Sequence, residues 1–463
     1  MSENVLTVVS PFDLSPIEEL KLNCGSEVEA RLASARKLAD GSPLPIWERV
    51  EILEKAAEAL NNRVSEFALT IAKEGGKPLK DAEVEAVRAV QGIKNAIEVL
   101  NGEDGTSIPM NRNPASSHRM AFTTREPIGV VVAISAFNHP LNLIVHQVVP
   151  AVAVGCPVIV KPAAATPLSC IHFVNLLYEC GLPEDWCRVL LLSNADSEAL
   201  VTDSRVDFFS FIGSSRVGWY LRSKLAPGTR CALEHGGAAP VIVEADADLD
   251  AMVPSLVKGG YYHAGQVCVS VQRIFAHQEI VDDLQSRLMT EINSLVTGDP
   301  VLEQTDVGPL ILPREVDRVE EWVNEAIHLG AEAVSGGQRI TATCYQPTLL
   351  RGPRAEAKVS QMEIFGPVVC LNSFNEVEDA IEQANSLPVA FQASVFTQDI
   401  DRAMRSAKQL NASAVMINDH TAFRVDWMPF AGRKTSGLGV GGIPYTMEDM
   451  TQEKMIVIHS PEL

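Results

Sequence analysis

Between residues 127 and 244 the apolar residues change period repeatedly, and this alternation constrains the fold more than any other feature of the chain. Residues 128–135 are an apolar run of strand length, and 141–154 carry apolar residues at three- and four-residue spacing. Residues 156–161 read as a strand closed by Pro162, followed by a helix over 166–180, a strand over 187–192, a helix over 195–202, a strand over 206–212 and a helix over 215–226. A strand over 239–244 completes the series. Parallel neighbours need a long crossover between them, usually a helix. The pattern therefore predicts a doubly wound sheet with helices on both faces. A second series of the same kind runs from about 250 to 430, so the expected fold class is α/β with two doubly wound (Rossmann-like) parallel-sheet domains.

Ahead of this region the spacing predicts helices over 27–38, 45–61, 65–74 and 81–100, with Gly75-Gly76-Lys77-Pro78 parting the third from the fourth. Residues 101–117 are polar and turn-rich, 118–126 alternate as a protruding strand would, and 451–460 read as one more strand and a candidate partner for it. The chain has 463 residues, ample for several cores, and its 46% hydrophobic and 21% charged residues are those of a globular protein. No long charge-free apolar run predicts a transmembrane helix. Met1-Ser2-Glu3-Asn4 lacks the basic region and apolar core of a secretory signal, and nine cysteines fall in no Cys-x-x-Cys pair. Both point to reduced thiols and a cytoplasmic location. A net charge of −21 argues against nucleic acid or an anionic membrane as partner. No metal site is expected.

Several residues stand where an α/β sheet places its ligands. Lys161 ends a strand; it is either a ligand contact or a solvated lysine. Gly213-Ser214-Ser215-Arg216-Val217-Gly218 joins a strand to a helix, and free N–H groups there suit a phosphate, though the stretch lacks the G-x-G-x-x-G fingerprint. Glu234 precedes Gly236-Gly237, and Glu363 precedes Phe365-Gly366-Pro367. Asn138 follows the first strand, where an asparagine either caps a helix or donates to an oxyanion. In Tyr262-His263-Ala264-Gly265-Gln266-Val267-Cys268, a turn of small residues delivers a cysteine to an alternating Val269-Ser270-Val271-Gln272 run. Alone, Cys268 reads as a core thiol sooner than as a reactive one.

Seven stretches occur together in one order: Ser135-Ala136-Phe137-Asn138-His139-Pro140-Leu141, Lys161-Pro162, Phe211-Ile212-Gly213-Ser214, Glu234-His235-Gly236-Gly237, Gly265-Gln266-Val267-Cys268, Glu363-Ile364-Phe365-Gly366-Pro367 and Met428-Pro429-Phe430-Ala431-Gly432. In these the chain resembles the NAD(P)-dependent aldehyde dehydrogenases, from Leu38 to the final strand. The resemblance implies that Cys268 attacks the aldehyde carbon as a thiolate, that Asn138 and the Cys268 N–H hold the oxyanion, and that hydride then passes to the nicotinamide. It implies that Glu234 activates water to hydrolyse the thioester. It gives the cofactor to Lys161, Ala164, Gly213, Ser214, Val217, Gly236, Glu363 and Phe365. It divides the chain into a dinucleotide-binding domain (1–104 and 127–236), a catalytic domain (237–432) and a small β extension for oligomerisation (105–126 and 446–463), with a homodimer or homotetramer expected. An acidic residue at 234 favours hydrolysis over transfer to coenzyme A, the enzymatic alternative. A non-catalytic structural relative is the other rival, and the presence of Cys268, Glu234 and Asn138 speaks against it.

Three departures stand out. Lys161-Pro162-Ala163-Ala164 replaces the usual Lys-Pro-Ser-Glu, leaving NAD only slightly ahead of NADP; His235 replaces a leucine and Ala431 a glycine. For the small-molecule substrate, His139, Asn142 and His146 fall on one helical face opposite the stripe Leu141, Ile144, Val145, Val148 and Val152, and are expected to line the tunnel. Arg88 and Arg424 are candidate clamps for an anionic head, with Phe430 beside them; each is equally read as solvated. The branch containing phosphonoacetaldehyde dehydrogenases is the most similar. The expected reaction is oxidation of a short anionic aldehyde to its acid, phosphonoacetaldehyde to phosphonoacetate first, with lactaldehyde, sulfoacetaldehyde and succinate-semialdehyde-type substrates as alternatives.

Overall fold

The computed structural model describes residues 5–102 and 105–463. The segment 1–4, read above for a secretory signal, and residues 103–104 of the polar stretch lie outside the described residues.

Strands of the first sheet run in the order Gly437–Leu438, Arg230–Glu234, Phe208–Ile212, Val131–Ile134, Val158–Lys161, Cys187–Val189. Neighbours are parallel except at the Gly437–Leu438 edge. The chain moves outward from Val131–Ile134 to Cys187–Val189, then restarts on the other side at Phe208–Ile212. That reversal opens a crevice beyond the C-terminal ends of Val131–Ile134 and Phe208–Ile212, the usual ligand position in a doubly wound sheet.

The second sheet runs Glu332–Ser335, Thr348–Arg351, Val368–Phe374, Val271–His277, Ala239–Val243, Gln392–Phe396, Ala414–Ile417, and only its first pair is antiparallel. The strand expected to complete the first series therefore belongs here: Ala239–Val243 is an inner strand of the second sheet, and Arg230–Glu234 closes the first. The sequence disguised this exchange. Ala239–Val243 is almost wholly buried and reads as a core run, whereas Arg230–Glu234 begins and ends on charge with one fully buried residue between. An N-terminal hairpin, Val5–Val9 with Pro16–Lys21, was also not legible.

Strand Arg119–Pro127 pairs antiparallel with Thr451–His459, from Thr451 opposite Pro127 to His459 opposite Arg119, as the alternating pattern suggested. Ser107–Ile108 flanks it on the other side. Helices Gly25–Ala39, Ile46–Asn61, Val64–Gly75 and Leu79–Leu100 cover the first sheet and the helix Asn142–Val154, every residue of which is buried. Among the described residues no helix is long and apolar enough to cross a membrane.

Two buried carboxylates fix helix starts that the site depends on. Glu85 accepts the Leu141 and Asn142 N–H groups, each at 3.0 Å, while its other oxygen pairs with the fully buried Lys77. Glu74 likewise accepts from the Leu168 and Ser169 N–H groups at 2.7 and 2.8 Å. A carboxylate at a helix start satisfies donors that have no partner inside the helix and offsets the positive end of its dipole. Glu85→Ala strands the Lys77 ammonium and two N–H groups, so it is expected to cost about 3–5 kcal/mol. Glu83→Ala, two residues away and exposed, should stay within about 0.5 kcal/mol of the parent. Thermal unfolding midpoints of the two variants check this.

Candidate active site

A cleft of about 1140 Å³ lies over the reversal point of the first sheet and is closed by loops of the second. Cys268 reaches it through strained backbone. His263, Ala264 and Gly265 all adopt left-handed angles, with φ of 48°, 55° and 69°. Such angles cost a non-glycine residue about 1–3 kcal/mol. At Gly265 only glycine fits, since a Cβ would stand 2.1 Å from the Gly366 carbonyl oxygen. The cysteine loop and the Glu363-Ile364-Phe365-Gly366 segment are thus docked backbone to backbone. Cys268 is half-buried. Burial first, then the Glu234 and Glu363 charges, push its thiol up, and Arg424 opposes them.

Asn138 lies in the turn before Asn142–Val154, so it does not cap that helix. Its amide donates to the Gln266 carbonyl at 2.9 Å. One N–H is thereby fixed, and the second is left for a group in the cleft. Gln266, absent from the sequence-based set, is itself pinned: its amide donates to the His263 and Pro309 carbonyls at 3.3 and 3.2 Å, and its oxygen accepts from the Ile311 N–H at 2.9 Å. Its place between the turn and Cys268 was the only sequence signal for it.

Glu234 ends the strand Arg230–Glu234, and burial raises its carboxyl above the usual range while Arg424 opposes the rise. Glu363 is pushed up to about 8 by burial, against the Gly237 N–H and the Arg318 charge. Its Oε1 is buried without a hydrogen-bond partner. It lies flat over Gly236, where a Cβ would stand 1.7 Å from that oxygen. Across the cleft, Gly213 and Ser214 precede the helix Ser215–Arg222, Lys161 ends Val158–Lys161 with its pKa lowered by burial, and Ala164 and Val217 are exposed at the mouth. Phe365 packs edge-on to Phe137, their centroids 5.8 Å apart. An orphaned carboxylate oxygen over a bare glycine, a helix start and a strand-end lysine in one cleft fit a dinucleotide: Glu363 to a ribose hydroxyl, the Gly213–Ser214 turn to the diphosphate.

His235 has a structural reading here. Its Nδ1 donates to the Gly213 carbonyl at 2.8 Å, and its ring occupies space that a Cβ on Gly218 would enter, 2.1 Å from Cε1. Nothing in the structure explains Ala431.

The substrate end differs from expectation. Arg88 is not an unpaired cation: its Nη2 and Nε donate to the buried Asp426 at 2.7 and 3.3 Å. Asn142 and His146 turn to the same carboxylate, at 3.1 and 2.8 Å. The polar face of Asn142–Val154 therefore serves an interior charge; His139 and Asn142 border the cleft, but His146 sits behind its wall. His139 meets the Tyr262 hydroxyl at 3.2 Å. Burial and the Arg424 charge hold His146 down to about 4, so it is neutral, gives Nε2–H to Asp426 and leaves Nδ1 as an acceptor. Although burial opposes it, the His146 hydrogen bond and the Arg88 charge keep the Asp426 carboxyl well below the usual range. In the sequence Asp426 has a place beside Arg424 and Met428-Pro429-Phe430 but no role.

Arg424 lies on the face of Phe430, 3.6 Å from the ring centroid, and its Nη2 reaches His146 Nδ1 at 3.4 Å. Its Nη1 stands 3.7 Å from Glu234 Oε1, and its Nε is buried without a partner. Cleft, cysteine loop and carboxylates together describe a site for thiol chemistry on a small carbonyl compound beside a dinucleotide.

Residues 1–456 match the aldehyde dehydrogenase family. A 3-sulfolactaldehyde dehydrogenase of Priestia aryabhattai is 38% identical over 98% of this chain and 95% of its own. Among solved structures, aldehyde dehydrogenase 21 of Physcomitrella patens in complex with the reaction product succinate superposes with a TM-score of 0.95 at 31% identity, covering 99% of this chain and 96% of its own. Glyceraldehyde-3-phosphate dehydrogenase of Methanocaldococcus jannaschii complexed with NADP does so with a TM-score of 0.94 at 34% identity, covering 99% of this chain and 100% of its own. This chain belongs to the aldehyde dehydrogenase family, and it is an oxidoreductase using NAD or NADP.

If Gly236 exists to seat Glu363, then Gly236→Ala and Glu363→Ala should each raise the cofactor KM about tenfold or more, and the double variant should be no worse than either, because residues acting as one unit are not additive. Steady-state kinetics of the double-mutant cycle at saturating aldehyde decide it.

Proposed function

We propose that this protein oxidises a short anionic aldehyde to its carboxylic acid, with Cys268 as nucleophile, Asn138 as oxyanion donor and Glu234 as the base for hydrolysis. Cofactor binding is assigned to 1–104 with 127–236, and the nucleophile to 237–432. Cys268 Sγ, its proton passed to solvent, bonds to the aldehyde carbon as the carbonyl π pair moves to oxygen, where the free N–H of Asn138 meets the charge; loss of the aldehyde hydrogen with its electron pair then re-forms the carbonyl as a thioester. When bound, NAD or NADP supplies the two-electron acceptor for the oxidation. Glu234 then takes a proton from water as the water oxygen bonds to the thioester carbon and the carbon–sulfur bond breaks.

The single observation that carries the anionic substrate is Arg424, a buried guanidinium that lines the cleft, lies on Phe430, stands beside Glu234 through Nη1 and leaves its Nε unpartnered. A buried donor without a partner is costly, and an anion supplies charge-assisted bonds to it. Arg88, half satisfied by Asp426, stands as support for this clamp rather than as a second one. Some of the similar proteins support it, since sulfolactaldehyde, glyceraldehyde 3-phosphate and the product succinate carry an anion, whereas the lactaldehyde of another relative does not. Phosphonoacetaldehyde and 3-sulfolactaldehyde head the panel to be tried, ahead of sulfoacetaldehyde, succinate semialdehyde and lactaldehyde. Assembly into a homo-oligomer belongs to the same reading: strand Thr451–His459 is an open sheet edge with Met455, Ile456, Val457 and Ile458 exposed.

Cys268→Ala should abolish cofactor reduction with every aldehyde. Arg424→Ala should raise KM for the best anionic aldehyde by about 10–100-fold, the worth of a charge-assisted contact, and that for propanal by much less. Equal effects on both aldehydes would sink the anionic reading. Light scattering at micromolar concentration should give a mass of two or four chains.

A further inference from the structure

Arg424 and Glu234 both line the cleft, with Glu234 Oε1 3.7 Å from Nη1 and both side chains largely buried. The Arg424 Nε is buried without a hydrogen-bond partner. The remaining neighbours leave the guanidinium little room to turn: Phe430 lies against its face, and His146 Nδ1 accepts from Nη2 at 3.4 Å. His146 is locked in that tautomer because Nε2–H is committed to Asp426 at 2.8 Å. Asp426 in turn is neutralised by Arg88. The chain Asp426, His146, Arg424, Glu234 is thus a single file of donors and acceptors running from the protein interior to the cleft.

We infer that Arg424 is a shared counter-charge: without substrate it pairs with Glu234, and the anionic head of a bound acyl group takes it over, so that the Glu234 carboxylate acts on water more readily for anionic substrates than for neutral ones. This rests on the anionic-aldehyde reading above. The titratable groups that act on Glu234 are Arg424 and the neighbouring Cys268, and those on Arg424 are Glu234 itself, Arg88, Asp426 and Cys268. Arg88 and Asp426 cancel each other, so bringing one negative charge to Arg424 changes the net charge beside Glu234 by that full amount. A like charge at this range, in a desolvated cleft, raises a carboxyl pKa by about 1–3 units. The head group stays attached throughout the thioester stage, so the effect persists when water is activated. A base of higher proton affinity removes the water proton more readily as long as it remains ionised. Selectivity for anionic aldehydes is therefore expressed in kcat and not only in KM. His146 is a positioning residue in this scheme, acting through Arg424.

Proton linkage provides the test. Ethanesulfonate carries the anion without an aldehyde and does not titrate near neutrality. Its binding to the full-length enzyme, followed calorimetrically at one pH near neutrality in two buffers of different ionisation enthalpy, should take up a fraction of a proton. Glu234→Gln should bind it and take up none. In the second arm, the acid limb of the kcat–pH profile with sulfoacetaldehyde should lie about one unit higher than with propanal, and the two limbs should coincide in Arg424→Met. His146→Leu should narrow the gap between the two limbs, and His146→Gln, which offers an acceptor again, should restore part of it. Ethanesulfonate binding without proton uptake, or coincident limbs in the parent enzyme alongside a retained preference for anionic aldehydes, overturns this inference and leaves the substrate reading standing. No ethanesulfonate binding and no preference for anionic aldehydes overturns both.

Discussion

Asp426 buries a full negative charge where three elements meet, and much of the substrate end of the molecule is arranged to satisfy it. An isolated buried carboxylate is costly enough to unfold a domain or to take up a proton. Here it accepts from Arg88 on Leu79–Leu100 and from Asn142 and His146 on Asn142–Val154, while its own carbonyl accepts from the Ile443 N–H at 2.9 Å. Helix, helix and C-terminal segment are tied at one point. Because His146 has a single hydrogen to give, its bond to Asp426 decides which nitrogen faces Arg424. An interior electrostatic requirement thereby fixes the orientation of a side chain at the cleft.

The same logic operates at the start of Asn142–Val154, where Glu85 holds the first N–H groups and Lys77 holds Glu85. Gly75-Gly76-Lys77-Pro78 reads in the sequence as a mere helix break. In the fold, its lysine is the counter-charge that allows a carboxylate to sit beneath the Asn138 turn. The Asn138 turn is thus supported by an ion pair beneath it, and the Asn138 amide is held by the Gln266 carbonyl.

How far the sequence foretold this varies with the kind of interaction. The two wound sheets were legible because buried parallel strands are continuous apolar runs separated by helical spacing. One strand was assigned to the wrong sheet where that signal failed, at the half-exposed Arg230–Glu234. Cys268, Glu234 and Glu363 were legible because each sits against glycines in a recognisable string. Arg88 does border the cleft, but its pairing and that of His146 with Asp426 were not legible, for a physical reason: helical angle distinguishes faces but not what lies opposite them. A polar stripe on a helix buried on every side looks the same in sequence whether it meets a ligand or an aspartate 280 positions away from His146. Long-range polar pairing leaves no periodic trace.

The contact between Gly265 and the Gly366 carbonyl has a consequence for how such a site can diversify. The distance from the cysteine loop to the segment bearing Glu363 is set by main chain against main chain. No exchange of side chains can lengthen or shorten it. The Cys268 end of the cleft is therefore held as a fixed gauge, while in the 418–428 loop the exposed Phe423 and Trp427 can be exchanged without touching that contact or the Asp426 anchor.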